Sequence, residues 1–230
     1  MARFVVAHGA WSAGWAWKKM RPLMVSAGHE LWTPTYTGLG ERAHLATPQT
    51  SLQTHIDDVI GVLETEDLTD VILVGHSYGG MVATGVASRT PERIVKLVYL
   101  DAFVPRDGES LASLVGGEAA MRTRAAEDWR VPPRDIPPDT SAADIAWATP
   151  RRRAQPIETF LTPVSLPAGD PPMPRSYIYC TRPDQQDGFR RFADRAKAEG
   201  WKSYDIDASH NPHITAPAAL MAILEDVARA

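Results

Sequence analysis

A chain of 230 residues with 44% hydrophobic content is long enough to bury one sizeable core, and no break in composition divides it, so a single domain over 1–230 is expected. A net charge of −4 gives no electrostatic footprint for nucleic acid, and no run nears the roughly 20 apolar residues of a membrane span. The sole cysteine, Cys180, excludes an internal disulfide and a multi-cysteine metal site; the cytoplasm is the simplest location and a small organic molecule the expected partner, with oligomeric state left open between monomer and homodimer.

Phe4-Val5-Val6-Ala7 reads as a first buried strand, ending in the small-residue loop His8-Gly9-Ala10-Trp11-Ser12-Ala13-Gly14-Trp15 before a helix through about Ala27. Leu31 to Thr35 reads as a second strand, and Thr37 to Arg42 as a glycine-rich loop. Ser51 is a fitting N-cap for a helix that carries Leu52, Ile56, Val59, Ile60 and Leu63 on one face. Val71 to Val74 is a strand, Met81 to Ala87 a helix, and Ile94 to Leu100 a further strand. This alternation indicates βαβ units and a parallel sheet covered on both faces.

From Pro105 to Pro172 the alternation stops. That segment holds 11 of the 19 prolines, so it is expected to be an irregular lid with short helices near 117–128 and 141–149. Ser176 to Cys180, Phe189 to Ala198 and Lys202 to Ile206 then resume the pattern as strand, helix and strand. A last helix carries Leu220, Ile223, Leu224 and Val227.

The chemistry concentrates at Gly75-His76-Ser77-Tyr78-Gly79, a G-x-S-x-G between the strand at 71 and the helix at 81. In that setting the serine sits on a sharp turn that only small neighbours tolerate, with its hydroxyl raised above the sheet, so Ser77 is the expected nucleophile. A serine hydroxyl needs a histidine base and an acid to orient it, following in the order serine, acid, histidine. Only His210 and His213 lie downstream. His210, just past the last strand, is the expected base, while His8, His29, His44, His55 and His76 read as structural or solvent-facing. An oxyanion needs two N–H donors, one after the nucleophile and one from the first loop, which points to Tyr78 and Ala10. Trp11 beside that loop and Trp147 in the lid are candidates to line a substrate pocket. Arg151-Arg152-Arg153 reads as a solvated basic run.

With His-Gly-Ala-Trp at 8–11, Gly-His-Ser-Tyr-Gly-Gly at 75–80 and Ser-His-Asn-Pro-His at 209–213, the sequence resembles the α/β-hydrolases. More narrowly it is similar to the group of plant methyl esterases, hydroxynitrile lyases and small bacterial esterases, including hydrolases of methyl carbamates such as carbendazim. The segment Thr35 to Leu45 shares in the match. The resemblance implies a six-stranded, mainly parallel α/β-hydrolase sheet with a lid, no cofactor and no metal, and cleavage of small carboxylic esters through an acyl-enzyme. Carbamate or amide cleavage by the same residues is the alternative, and a small-molecule receptor or a lyase stands further off. The lyases carry threonine after the first-loop histidine and lysine after the catalytic one, where this chain has Gly9 and Asn211. For the acid, the plant esterases place an aspartate soon after Cys-Thr, where Asp184 stands displaced behind Arg182-Pro183. Haloalkane dehalogenases instead resemble an arrangement with the acid one strand beyond the nucleophile, where Asp101 closes an apolar strand. Asp101 is the better candidate, because a partly buried carboxylate requires a partner and an imidazolium supplies one.

Overall fold

The computed structural model describes residues 1–125, 129–137, 139–167, 169–182 and 187–230. The chain runs β1 (Arg3–Ala7), a 3-10 turn (Gly14–Trp17), α1 (Met20–Ser26), β2 (Glu30–Trp32), a 3-10 turn (Gly40–Leu45), α2 (Leu52–Thr65), β3 (Val71–His76), α3 (Gly79–Arg89) and β4 (Ile94–Leu100). The lid follows as α4 (Leu111–Leu114), α5 (Glu118–Ala125), β5 (Arg130–Val131), α6 (Ala142–Ala148), β6 (Gln155–Pro156) and α7 (Glu158–Leu161). The chain then returns through β7 (Arg175–Cys180), α8 (Arg190–Ala198), β8 (Lys202–Ile206), α9 (Pro212–Thr215) and α10 (Pro217–Arg229).

Six strands form one parallel sheet in the order β2-β1-β3-β4-β7-β8. Its faces follow from the period of two along each strand. Val5, Ala7, Leu73, Tyr99, Tyr177 and Tyr179 pack into one core with α2, α3, α8 and part of the lid. Phe4, Val6, Val74, Val98, Leu100, Ile178 and Ile206 pack into the other with α1 and α10. Strands covered on both faces read as continuous apolar runs, as β3 does with all six residues buried. The chain leaves β1 toward β2 on one side and returns as β3 on the other, so the loops after β1 and β3 meet at the switch point of the sheet, where α/β proteins place their sites.

Several boundaries differ from the sequence reading. The second strand stops at Trp32 rather than Thr35. Pro34 has no N–H for the ladder; Thr35 instead accepts from the Gly14 N–H at 3.1 Å through its hydroxyl and from Arg42 at 3.0 Å through its carbonyl. The lid contains the two expected helices, α5 and α6, the end of the first expected span at 126–128 lying outside the described residues, with Ser141 capping α6 by accepting from the Asp144 N–H at 3.1 Å. It also holds a two-stranded antiparallel ribbon, β5 with β6.

Candidate active site

The turn at Ser77 is built by what its neighbours lack. Ser77 adopts φ 56°, a left-handed conformation unusual for a residue with a side chain. A Cβ on Gly79 would stand 1.9 Å from the Ala7 carbonyl oxygen, and one on Gly80 2.0 Å from that of Phe103. Glycine at these positions lets α3 begin hard against β1 and the chain after β4, which lifts Ser77 out of the end of β3. Ser77 is half-buried, while His76 and Tyr78 on either side are buried.

Three chain-distant groups meet at this turn. The His210 ring lies with Nε2 2.8 Å from the Ser77 hydroxyl and Nδ1 2.7 Å from the Asp101 carboxylate. A carboxylate only accepts, so Nδ1 carries the proton and Nε2 presents its lone pair to the serine. Asp101 is buried at the end of β4, again with a left-handed φ of 42°, and its other oxygen accepts from the Cys180 N–H at 3.3 Å. Asp184 lies outside the described residues. Phe189 stacks on the His210 ring with centroids 4.8 Å apart. Two further contacts hold the loop before α9. The His76 Nε2–H donates to the His210 carbonyl at 2.7 Å, and the Ser209 N–H donates to the Asp139 carboxylate of the lid at 3.1 Å.

His213 stands apart from this chain of bonds. It is buried, stacked on Trp17 at 4.7 Å, and burial lowers its pKa to about 3, with His210 and His8 pushing the same way. His76 is likewise buried, and its pKa is depressed by burial and then by His213 and His210.

The loop after β1 lies against the serine, since a Cβ on Gly9 would meet His76 Nδ1 at 2.8 Å and Ser77 Cβ at 3.3 Å. The His8 Nδ1–H donates to the Gly9 carbonyl at 2.9 Å, which fixes the peptide plane whose other end is the Ala10 N–H. His8 Nε2 accepts from the Tyr36 N–H at 3.3 Å, and the two rings stack at 3.8 Å. Tyr36 stacks in turn on His55 at 4.6 Å. The His55 Nε2–H donates to the Thr37 carbonyl at 3.0 Å, so its Nδ1 accepts from the Tyr78 hydroxyl at 2.8 Å. Burial holds both imidazoles neutral, with pKa lowered to about 4 for His8 and about 3 for His55. Asp58 secures the outer end by accepting from the Thr37 N–H at 2.6 Å and from Arg42 at 2.9 Å. A stack of buried rings thus underlies both Ala10 and Tyr78. Sequence reasoning left His8 and His55 as structural or solvent-facing, where the structure buries both, and left Tyr36 without a role; the shared segment from Thr35 to Leu45 was the signal that this loop has fixed work.

The two tryptophans chosen for the pocket part company. Trp11 tilts against Phe160 at 5.8 Å in the core shared with α7. Trp147 stands edge-on to Trp15 at 5.1 Å and packs with the core beneath α1 and α10. The reason is α6, which Asp144 draws to Lys19 at 2.6 Å. The arginines that follow donate to the carbonyls of Trp147, Arg134 and Pro150. Among the described residues, no group of three or more His, Cys, Asp or Glu is arranged to hold a metal ion, and no helix is long and apolar enough to cross a membrane.

A family model described as the alpha/beta hydrolase family matches residues 4–223. A carbendazim hydrolyzing esterase of Nocardioides sp. (strain SG-4G) is 49% identical over 145 residues, covering 63% of this chain and 53% of that protein. Salicylic acid-binding protein 2 of Nicotiana tabacum is 33% identical over 127 residues, covering 55% and 48%. The chain thus spans about half the length of these curated relatives. Among solved structures, an extracellular alpha/beta-hydrolase from a Paenibacillus species superposes with a TM-score of 0.86 at 22% identity, covering 98% of each chain, a likeness of fold. The parallel sheet, the turn at Ser77 and a match over nearly the whole length agree: the chain belongs to the alpha/beta hydrolase family.

Proposed function

We propose that the chain is a serine hydrolase that cleaves small carboxylic esters through an acyl-enzyme intermediate. The observation that carries this reading is the His210 ring bridging Ser77 at 2.8 Å and Asp101 at 2.7 Å. His210 takes the serine proton as the hydroxyl attacks the ester carbonyl, and Asp101 stabilises the imidazolium that forms. The N–H groups of Ala10 and Tyr78 receive the oxyanion. His210 then returns its proton to the leaving alkoxide, and a water activated by the same imidazole releases the acid. His213 is too deeply packed on Trp17 to share this work.

Likeness to an enzyme named for carbendazim hydrolysis favours a second reading, cleavage of aryl carbamates by the same groups. The two differ mainly in the leaving group that must be protonated. A panel of p-nitrophenyl esters beside aryl carbamates separates them. Ser77→Ala is expected to lower kcat by a factor of about 10⁴ or more on every hydrolysed substrate. Full turnover after that substitution would overturn the proposal.

A further inference from the structure

Among the lid residues, Gln155 is conspicuous for being completely buried while bonding outward from the lid at one end of its amide and inward at the other. Its Oε1 accepts from the Trp11 N–H at 2.9 Å, which fixes which end of the amide is oxygen. Its Nε2 donates to the Thr159 hydroxyl at 2.8 Å, and that hydroxyl donates to the Pro156 carbonyl at 2.7 Å. Thr159 is also buried. Across the ribbon, Val131 pairs with Gln155, and the Val131 carbonyl accepts from the Trp11 indole N–H at 2.9 Å. Trp11 is held in a left-handed conformation, φ 58°, that a residue with a large side chain does not adopt unaided.

We propose that Gln155 is a positioning residue through which the lid sets the Ala10 arm of the oxyanion hole. This rests on the reading of Ala10 and Tyr78 as the oxyanion donors. His8 fixes the peptide between Gly9 and Ala10, and Gln155 fixes the next one, between Ala10 and Trp11, so Ala10 is pinned from both sides. The lid ribbon therefore does more than cover the site. An oxyanion donor acts only where the charge will develop, and a displacement of about 1 Å can cost roughly a hundredfold.

The test compares Gln155→Leu, which keeps the bulk and loses both bonds, with Gln155→Glu, which keeps an oxygen for the Trp11 N–H and turns the Thr159 hydroxyl from the Pro156 carbonyl to its second oxygen. Activity toward a p-nitrophenyl ester is divided by the number of sites that a phosphonate inhibitor labels at completion, so misfolded protein does not count. Gln155→Leu is expected to lower kcat about 100-fold with KM within about threefold and an unchanged pH profile. Its affinity for a trifluoromethyl ketone, which forms the tetrahedral oxyanion, should fall in parallel. Gln155→Glu should restore kcat to within about tenfold of the parent. The inference is overturned if Gln155→Leu keeps kcat within threefold, if KM rises as kcat falls, or if the ketone binds as before. It is overturned too if Gln155→Glu is as slow as Gln155→Leu. Ser77→Ala, with activity divided by the amount of folded protein because a phosphonate has no serine to label, tells the two failures apart. If it turns over normally, the serine mechanism is at fault; if it is inactive while Gln155→Leu is normal, only the positioning role falls.

Discussion

Acidification should unfold this protein abruptly, because several histidines are buried in neutral form. His8, His55 and His213 have pKa values lowered to about 4, 3 and 3 by burial, and His76 is depressed in the same direction. In the unfolded chain each binds a proton below about pH 6.5. The unfolded state then holds more protons than the folded one, so stability is full above that pH and is lost as pH falls toward the folded values. Between pH 7 and pH 5 each imidazole costs about 2 kcal/mol, or about 6 kcal/mol for the three, with His76 adding to it. That is comparable to the whole stability of a typical domain, about 5–15 kcal/mol. Urea unfolding followed by tryptophan fluorescence at half-unit steps from pH 7.5 to 5 should show the midpoint falling steeply. Its slope should correspond to uptake of about three protons on unfolding. A stability that changes by less than about 1.5 kcal/mol over that range would refute the reasoning, since at most one buried imidazole would then be silent.

Asp101→Asn should keep the fold and lower kcat by about 10⁴, through loss of the anion and of the Nδ1–H tautomer; near-normal turnover would move the acid elsewhere, with Asp184 the first position to try. His210→Ala should abolish ester turnover, whereas His213→Ala should lower the thermal midpoint and leave kcat of the folded protein within a few-fold; the reverse ranking would transfer the role of base. Gly79→Ala should yield little folded protein, since its Cβ would stand 1.9 Å from the Ala7 carbonyl oxygen, a clash costing more than about 3 kcal/mol; a normal melting curve would contradict it. Trp147→Ala should lower stability while changing kcat/KM for bulky and small esters by the same factor; a selective change would return this residue to the pocket.

The residues that meet at the site are each legible in their own surroundings. Ser77 is marked by glycines between an apolar strand and a helix, Asp101 by a carboxylate closing the run Val98-Tyr99-Leu100, and His210 by its place beyond the last strand. What supports them is not legible, because a polar side chain is buried only where distant partners satisfy it. Nothing local to His55 announces Tyr78, 23 residues on, and nothing local to Gln155 announces Trp11, 144 residues back. The ribbon at 130–131 and 155–156 is too short to show a period of two, and a tryptophan in a lid does not reveal which core it will join. The second strand failed for a simpler reason, a proline whose missing N–H ends the ladder at Trp32.

The bond from His76 to the His210 carbonyl carries a consequence for how the protein comes into being. The serine turn packs against the end of β1 and the chain after β4, which precede β7 and β8, whereas His210 belongs to the stretch after β8. On the mechanism proposed above, the hydroxyl has no base until that stretch docks, and the incomplete chain should not turn over esters. The same dependence makes turnover a sensitive gauge of completed folding. A chain whose last strand has not joined the sheet can look nearly native in helix content and still be silent, so recovery of the proposed ester turnover after refolding should lag the return of secondary structure.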